Sequence, residues 1–117
     1  MLLQQTQNQK KDQLFLLDEI TKVIVEVADP AKIILFGSQA RGTAGPHSDY
    51  DFLIVDSKPL EQGHSRRQTA GRIWRALRHF DVSIDLLLYK NSEVEYFSQS
   101  LNHVVSCALR EGKVLHE

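Results

Sequence analysis

Two short apolar runs, at residues 32–36 and 52–55, constrain the fold of this chain more than any other feature. The first is rich in strand formers and ends abruptly at Gly37-Ser38, which predicts a strand, a tight turn, a short helix and a loop. The second shows little alternation of apolar and polar residues, as is typical of a strand buried on both faces. We therefore expect residues 52–55 to form a central strand.

Helical spacing of apolar residues predicts three helices around these strands. Asp29-Pro30 closes the first helix and Gly112 closes the last, because these residue types end helices. The polar first dozen residues are either frayed or an extension of the first helix, and a polar loop at 59–63 precedes the second. The predicted helices are 14–27, 65–80 and 101–109, and a further apolar run that predicts a third strand is 82–89.

Length and composition favour one folded domain over residues 1–117, with residues 1–12 as an N-terminal extension. The chain is 42% hydrophobic and 25% charged, which lies far from the composition of disordered chains. Together the segments predict an α/β (α+β) fold. We expect a small mixed sheet of three to four strands, helices packed mainly on one face, and a site at the open edge of the other.

The composition disfavours several classes of function. A formal net charge of −1 argues against extensive direct binding to nucleic acid. No apolar run approaches the roughly 20 residues that span a bilayer, so we expect no membrane association and a cytoplasmic location. Cys107 is the only cysteine, which excludes an intramolecular disulfide, and its apolar neighbours predict a buried thiol. The histidines lack the spacing of zinc ligands.

The turn after the first strand favours a bound anion. A glycine lets the backbone approach a ligand closely, and the free N–H groups of the helix start at Gly37-Ser38 would face a phosphate. Gly37 and Gly42 have the spacing of the phosphate loop of common NTPases, but Thr43 stands where that loop needs lysine. The lysine that binds phosphate in that motif is therefore missing, and the segment is not interpreted as such a loop.

Asp49 and Asp51 supply a different way of binding a cation. Residues i and i+2 of a strand point to the same face, so both carboxylates would face one small volume. Adjacent carboxylates repel unless a cation lies between them, and Mg²⁺ typically binds one or two carboxylates together with substrate phosphates. A pair of this kind alone is more often a solvated strand end. Together with the glycine turn and Asp85, it predicts a metal–nucleotide site.

Asp85 stands inside the apolar run 82–89, where burying an unpaired carboxylate would be costly. If this strand pairs beside the strand of Asp51, Asp85 can join the other acids and complete a two-metal site. It could then accept a proton from an attacking hydroxyl. A salt bridge to a neighbouring arginine is the structural alternative, and Asp81 is interpreted as a turn residue.

These motifs resemble the minimal nucleotidyltransferase family of the DNA polymerase beta superfamily, whose pattern is G-S, R-G, S-D-x-D and a later strand carboxylate. The resemblance covers residues 33–89 and implies a polymerase beta-like nucleotidyltransferase fold. It also implies that the three acids are catalytic and hold metal, with two Mg²⁺ expected. The matching positions are Gly37-Ser38, Arg41-Gly42, Ser48-Asp49-Tyr50-Asp51 and Asp85.

The same resemblance implies how ATP is held. Gly37 and Ser38 would bind the triphosphate, with Arg41 and Ser48 also contacting the nucleotide. Arg41 could reach a phosphate, or it could pair with an acid and pin the loop, and the sequence leaves both open. His47 could touch a phosphate or the acceptor.

Small relatives of this family often act beside an all-helical partner, the HEPN family of ribonuclease toxins, and some resemble antitoxins that transfer AMP to a toxin tyrosine. The resemblance therefore implies transfer of a nucleoside monophosphate, AMP from ATP, to a hydroxyl with loss of pyrophosphate, and a hetero-oligomer with the toxin. One alternative is a non-catalytic subunit that neutralises its partner by contact. Another is transfer to a small molecule such as an aminoglycoside, which the short chain disfavours because no acceptor pocket is evident.

The second predicted helix contains five arginines and a tryptophan to which the nucleotidyltransferase pattern assigns no role. Its arginines could mark a surface for RNA or an acidic partner, although a solvated helix face is the more common explanation. Helical spacing predicts that Trp74 lies in the core, and strand alternation predicts that Tyr50 packs on the face opposite the acids. The arginines are Arg66, Arg67, Arg72, Arg75 and Arg78.

Overall fold

The computed structural model describes residues 2–45, 47–58 and 65–117, with side chains from residue 12 onwards. The loop predicted at 59–63 lies outside the described residues. The helices are α1 (Leu2–Ala28), α2 (Ser38–Arg41), α3 (Arg66–Leu77), α4 (Asn91–Phe97) and α5 (Val104–Glu111). The strands are β1 (Lys32–Phe36), β2 (Tyr50–Asp56), β3 (Ile84–Lys90) and β4 (Lys113–His116).

The four strands form one mixed sheet in the order β3-β2-β1-β4. β1 pairs antiparallel with both β2 and β4, whereas β2 and β3 run parallel. The connection from β2 to β3 passes through α3, since parallel neighbours cannot be joined by a tight hairpin. The predicted fold class is confirmed, as is the central position of the strand that contains residues 52–55.

The sheet has two differently covered faces. The longer helices α1 and α3 bury one face, where Ile24, Phe52 and Ile73 are fully buried. The shorter helices α4 and α5 cover part of the other face, where Leu53 and Val105 are fully buried. This second face is therefore left open beyond the short helices, at one end of the sheet.

Glycine closes the last helix in a way that fixes α5 against the sheet. A Cβ at Gly112 would lie 2.4 Å from Ile34 Cγ2 and 2.4 Å from the carbonyl oxygen of Ala108. Such distances are far below van der Waals contact, so a side chain has no room there. The chain then continues directly into β4, which the sequence did not predict because four residues carry too little periodicity.

Several boundaries and burial states differ from the sequence predictions. α1 begins at Leu2, so the first residues extend the first helix, which was one of the two alternatives; this start contains good helix formers and no glycine or proline. α4 was not predicted. Trp74 is 43% exposed, so its predicted core position is wrong, and Cys107 is only partly buried. In α3 the buried positions are Thr69, Ile73 and Leu77, so Trp74 lies at the margin of the core-facing stripe and not at its centre.

No helix within the described ranges is both long and apolar enough to cross a bilayer. The prediction of no membrane association concerned this kind of helix.

Candidate active site

Gly37 forms a turn that only glycine can occupy. It follows β1, has φ 74° and ψ −157°, and leads directly into α2. This conformation is strained for residues that carry a Cβ. A Cβ at Gly37 would also lie 2.3 Å from Oδ2 of Asp51, because Asp51 pairs in register with Phe36 at the end of β1. The backbone of the turn therefore lies directly against the carboxylate of Asp51.

Asp51 and Asp85 are neighbours across the parallel strands β2 and β3, where they are paired in register. Alternation along the strands places both on the α5 face, together with Leu53 and Leu87. The strand pairing that the sequence hypothesis required is therefore present. Asp85 is nevertheless exposed, so its expected burial is wrong. It is the second residue of a strand at the edge of the sheet, where solvent reaches it.

The electrostatics of Asp51 reflect this crowding of acids. Partial burial, followed by the charges of Asp85 and Asp49, raises the pKa of Asp51 above its ordinary value of 3.8. Arg41 opposes this shift weakly. The acidic groups thus repel one another in the absence of a cation.

Asp49 occupies an exposed position in the loop one residue before β2. Among the residues that the structure describes, no group of three or more histidine, cysteine, aspartate or glutamate side chains is placed to hold a metal ion. Two mutually repelling carboxylates with a third acid nearby do fit Mg²⁺, because this ion takes hard oxygen ligands and usually completes its shell with phosphate and water. The metal-binding role of the three acids stays a prediction.

The loop between α2 and β2 is fixed by a relay of side chains. Gln13 on α1 donates from Nε2 to Oε1 of Gln39 at 2.8 Å, and Gln39 donates from Nε2 to the carbonyl oxygen of Ser48 at 3.2 Å. The hydroxyl of Ser48 accepts a hydrogen bond from the N–H of Gly45 at 2.8 Å. Ser48 therefore stabilises the loop that leads to Asp49. The two glutamines were missed, since no motif in the sequence marks them.

Arg41 is paired with an acid that the sequence did not single out. Its Nη1 lies 3.6 Å from Oε2 of Glu111 on α5, and both side chains are about half exposed. Of the two alternatives left open for Arg41, the structure shows the ion pair with an acid. A contact between Arg41 and a phosphate stays a prediction. Glu111 is 70 positions away from Arg41, so no local pattern could have identified it.

A cavity of about 1150 Å³ adjoins this loop. It lies between α1, the loop from Gly42 to Ser48, and the turn before β3, and its lining includes His47, Asp81 and Lys113. None of the three acids lines it. Tyr50 does, and it is buried on the α1 face as predicted. The cavity and the acids therefore lie on opposite sides of residues 48–51.

Fold and site together define a class: a small α+β domain in which a glycine turn and acids on two parallel strands face one volume. The chain belongs to the family described as nucleotidyltransferase domain, whose model matches residues 17–112. Transferase chemistry is thus the activity that the family suggests.

A crystal structure of a toxin-antitoxin with AMP-PNP is similar to the chain in fold. The two share 23% sequence identity and a TM-score of 0.51, and the match covers 83% of this chain and 70% of the other. No curated protein matches the chain.

Proposed function

We propose that this protein transfers a nucleoside monophosphate, AMP from ATP, to a hydroxyl group. The observation that carries the proposal is the register pairing of Asp51 with Asp85, beside a turn at which Gly37 admits no side chain. Acids on neighbouring strands together with an open backbone turn suit a nucleoside triphosphate and its counter-ion. The family assignment supports the same chemistry.

In this proposal each residue has a defined task. Gly37 and Ser38 hold the triphosphate through the turn backbone, and Asp49, Asp51 and Asp85 hold Mg²⁺. When bound, Mg²⁺ neutralises charge on the triphosphate and polarises its phosphoryl oxygens.

The proposed reaction is an in-line displacement at the α-phosphorus. The acceptor oxygen forms a bond to the α-phosphorus, the bond from that phosphorus to the pyrophosphate oxygen breaks, and the acceptor proton passes to Asp85. Asp85 suits this last role because it is exposed at the start of an edge strand, where an acceptor can approach it.

The proposed acceptor is a tyrosine of a HEPN ribonuclease toxin, so that the protein acts as an antitoxin in a hetero-oligomer. Support comes from the similar fold of a toxin-antitoxin with AMP-PNP, an analogue of ATP. The rival function is a non-catalytic subunit that neutralises its toxin by contact alone. The two differ in whether the acids are needed for neutralisation.

The deciding experiment measures the intact mass of a co-expressed HEPN-type toxin after incubation with the protein, ATP and Mg²⁺. We expect mass increments of whole AMP units with the wild type and none with the variant Asp49→Ala, Asp51→Ala. Asp81→Asn is the matched control, because Asp81 is an exposed acid near the same end of the sheet but lines the cavity instead. A toxin that stays unmodified yet is bound and silenced would support the contact-only subunit.

A further inference from the structure

A second surface lies on the opposite face of the sheet, at the C-terminal half of α3. A groove of about 360 Å³ separates this helix from the start of β3. Its floor is apolar and is formed by Leu77, Phe80, Val82 and Ile84. Trp74 stands at the rim with 43% of its surface exposed, although tryptophan is among the most costly residues to leave in water. We call this feature the Trp74 groove.

Positive charge surrounds the Trp74 groove. Arg75 and Arg78 line it, and both are exposed. Neither forms an ion pair with any side chain in the described part of the molecule, whereas Arg66 at the other end of α3 is bound to Glu93. The sequence of α3, RRQTAGRIWRAL, contains no acid that could neutralise them from the same helix. The groove thus combines an apolar floor with two guanidinium groups that no described side chain neutralises.

We propose that the Trp74 groove docks a segment of a partner polypeptide that presents an apolar side chain flanked by aspartate or glutamate. The apolar side chain would fill the floor beside Trp74, and the acids would pair with Arg75 and Arg78. Exposed tryptophan and arginine around a small apolar pocket are the residues that dominate the binding energy of protein interfaces. Docking at this groove does not depend on the proposed transfer reaction.

The shape and charge of the groove favour polypeptide over RNA. Its floor consists of four apolar side chains, which match an aliphatic or aromatic side chain better than a sugar-phosphate backbone. The chain as a whole carries a net charge of −1, so it has no overall positive charge to attract nucleic acid. A volume of about 360 Å³ accommodates one or two side chains.

The position of the groove relates it to the acids. Ile84 on the groove floor and Asp85 are successive residues of β3, so their side chains point to opposite faces of the sheet. A docked segment would therefore lie at the same end of β3 as Asp85 without covering it. A partner could therefore bind in the groove while Asp85, on the other face of the sheet, stays accessible.

The test lets the protein select its own ligand from a random 15-residue peptide library displayed on phage, with the full chain immobilised. We expect the selected peptides to be enriched in aspartate or glutamate around a leucine, phenylalanine or similar residue. Synthetic copies should shift the emission of Trp74 to shorter wavelength, because Trp74 is the only tryptophan in the chain. Arg75→Glu and Arg78→Glu should each weaken binding about tenfold, the loss expected for one charge-assisted contact.

Arg67→Glu is the matched control, since Arg67 is an exposed arginine of the same helix that does not line the groove. It should change the dissociation constant less than twofold, and Asp51→Asn should not change it. Selected peptides that bind Arg78→Glu as well as wild type would overturn the proposal. So would a tryptophan shift produced by a single-stranded RNA 20-mer but by no peptide, or concentration-dependent self-association that buries Trp74.

Discussion

Asp51 and Asp85 stand side by side on the parallel strands β2 and β3, in register and on the face opposite α1 and α3. Two acids in this position can bind a cation, but they destabilise the protein when no cation is bound. Burial and the charges of Asp85 and Asp49 raise the pKa of Asp51, which shows that its ionised form is disfavoured. The carboxylates therefore repel one another, and a bound cation would reduce this repulsion.

The first prediction follows from this repulsion. Asp51→Asn should abolish AMP transfer and yet raise the melting temperature of the metal-free protein by about 2–4 °C, corresponding to less than 1 kcal/mol after allowance for solvent screening. Calorimetry with a chelator measures this. Adding Mg²⁺ should stabilise the wild type more than the variant, and a lower melting temperature of the variant under chelation would contradict the repulsion.

The sign of the pH dependence is fixed by the direction of the shift. Because the pKa of Asp51 is raised in the folded state, its favourable contribution is present below the ordinary value of 3.8 and is lost as pH rises through the folded-state pKa. Asparagine does not titrate. The stability advantage of Asp51→Asn should therefore be larger at pH 7 than at pH 3, which lies below the ordinary pKa of 3.8.

The second prediction compares two glycines that both have positive φ. Gly37→Ala and Gly42→Ala should each destabilise the fold by about 1–2 kcal/mol through backbone strain. Only Gly37→Ala should also lose transfer activity, because its Cβ would lie 2.3 Å from Asp51 Oδ2, whereas a Cβ at Gly42 meets nothing within 4 Å. Denaturant melts and initial rates separate the two effects. Equal loss of activity in both variants would show that strain alone is responsible.

The third prediction concerns the ion pair of Arg41 with Glu111. A half-exposed pair at 3.6 Å is weak, so a bound triphosphate can compete for Arg41. Arg41→Ala should raise the dissociation constant of AMP-PNP roughly tenfold, and Glu111→Gln should lower it about two- to fivefold by freeing the arginine. Titration calorimetry measures both.

The double variant provides the control for this pair. In the Arg41→Ala background, Glu111→Gln should have no further effect on AMP-PNP affinity beyond a small change in overall charge. If Glu111→Gln weakens binding by the wild-type arginine instead, Glu111 orients Arg41 and does not compete for it.

The fourth prediction uses the contact between α3 and α4. The hydrogen bond from Arg66 lowers the pKa of Glu93 below its ordinary value of 4.5, with help from the backbone N–H of Lys90. The pair should therefore stabilise the fold above pH 4.5 and lose its contribution as pH falls through the lowered pKa. Glu93→Gln should cost at most about 1 kcal/mol at pH 7.

Thermal melts of Glu93→Gln across pH 3 to 7 test this fourth prediction, and the difference from wild type should shrink at the acidic end. Glu95→Gln on the same helix is the control, because Glu95 is exposed and forms no ion pair within the described residues. A cost of Glu93→Gln that stays the same from pH 3 to pH 7 would contradict this prediction, because the ion pair with Arg66 is lost when Glu93 becomes protonated.

Local sequence was sufficient for the first half of the site. The apolar run of β1, the glycine turn and the spacing of Asp49 and Asp51 are properties of neighbouring residues, and the structure has the same order of strand, turn, short helix and strand. The roles of these residues in binding ATP and Mg²⁺, and the cytoplasmic location, stay predictions.

The second half of the site depends on contacts between distant parts of the chain. The sequence contained Asp85, but only the parallel register of β2 and β3 places it opposite Asp51. That register follows from packing of Leu53 and the partly buried Leu87 on one face and of Phe52 and its neighbours on the other, which is a property of the assembled core.

The sequence by itself therefore determined the elements and the chemical groups, because hydrophobic period and turn residues act over a few positions. Tertiary structure alone decided which groups meet: the ion pair of Arg41 with Glu111, the exposure of Trp74 and the addition of β4 beside β1. These outcomes arise from packing between segments far apart in sequence, whose free energy no local pattern contains.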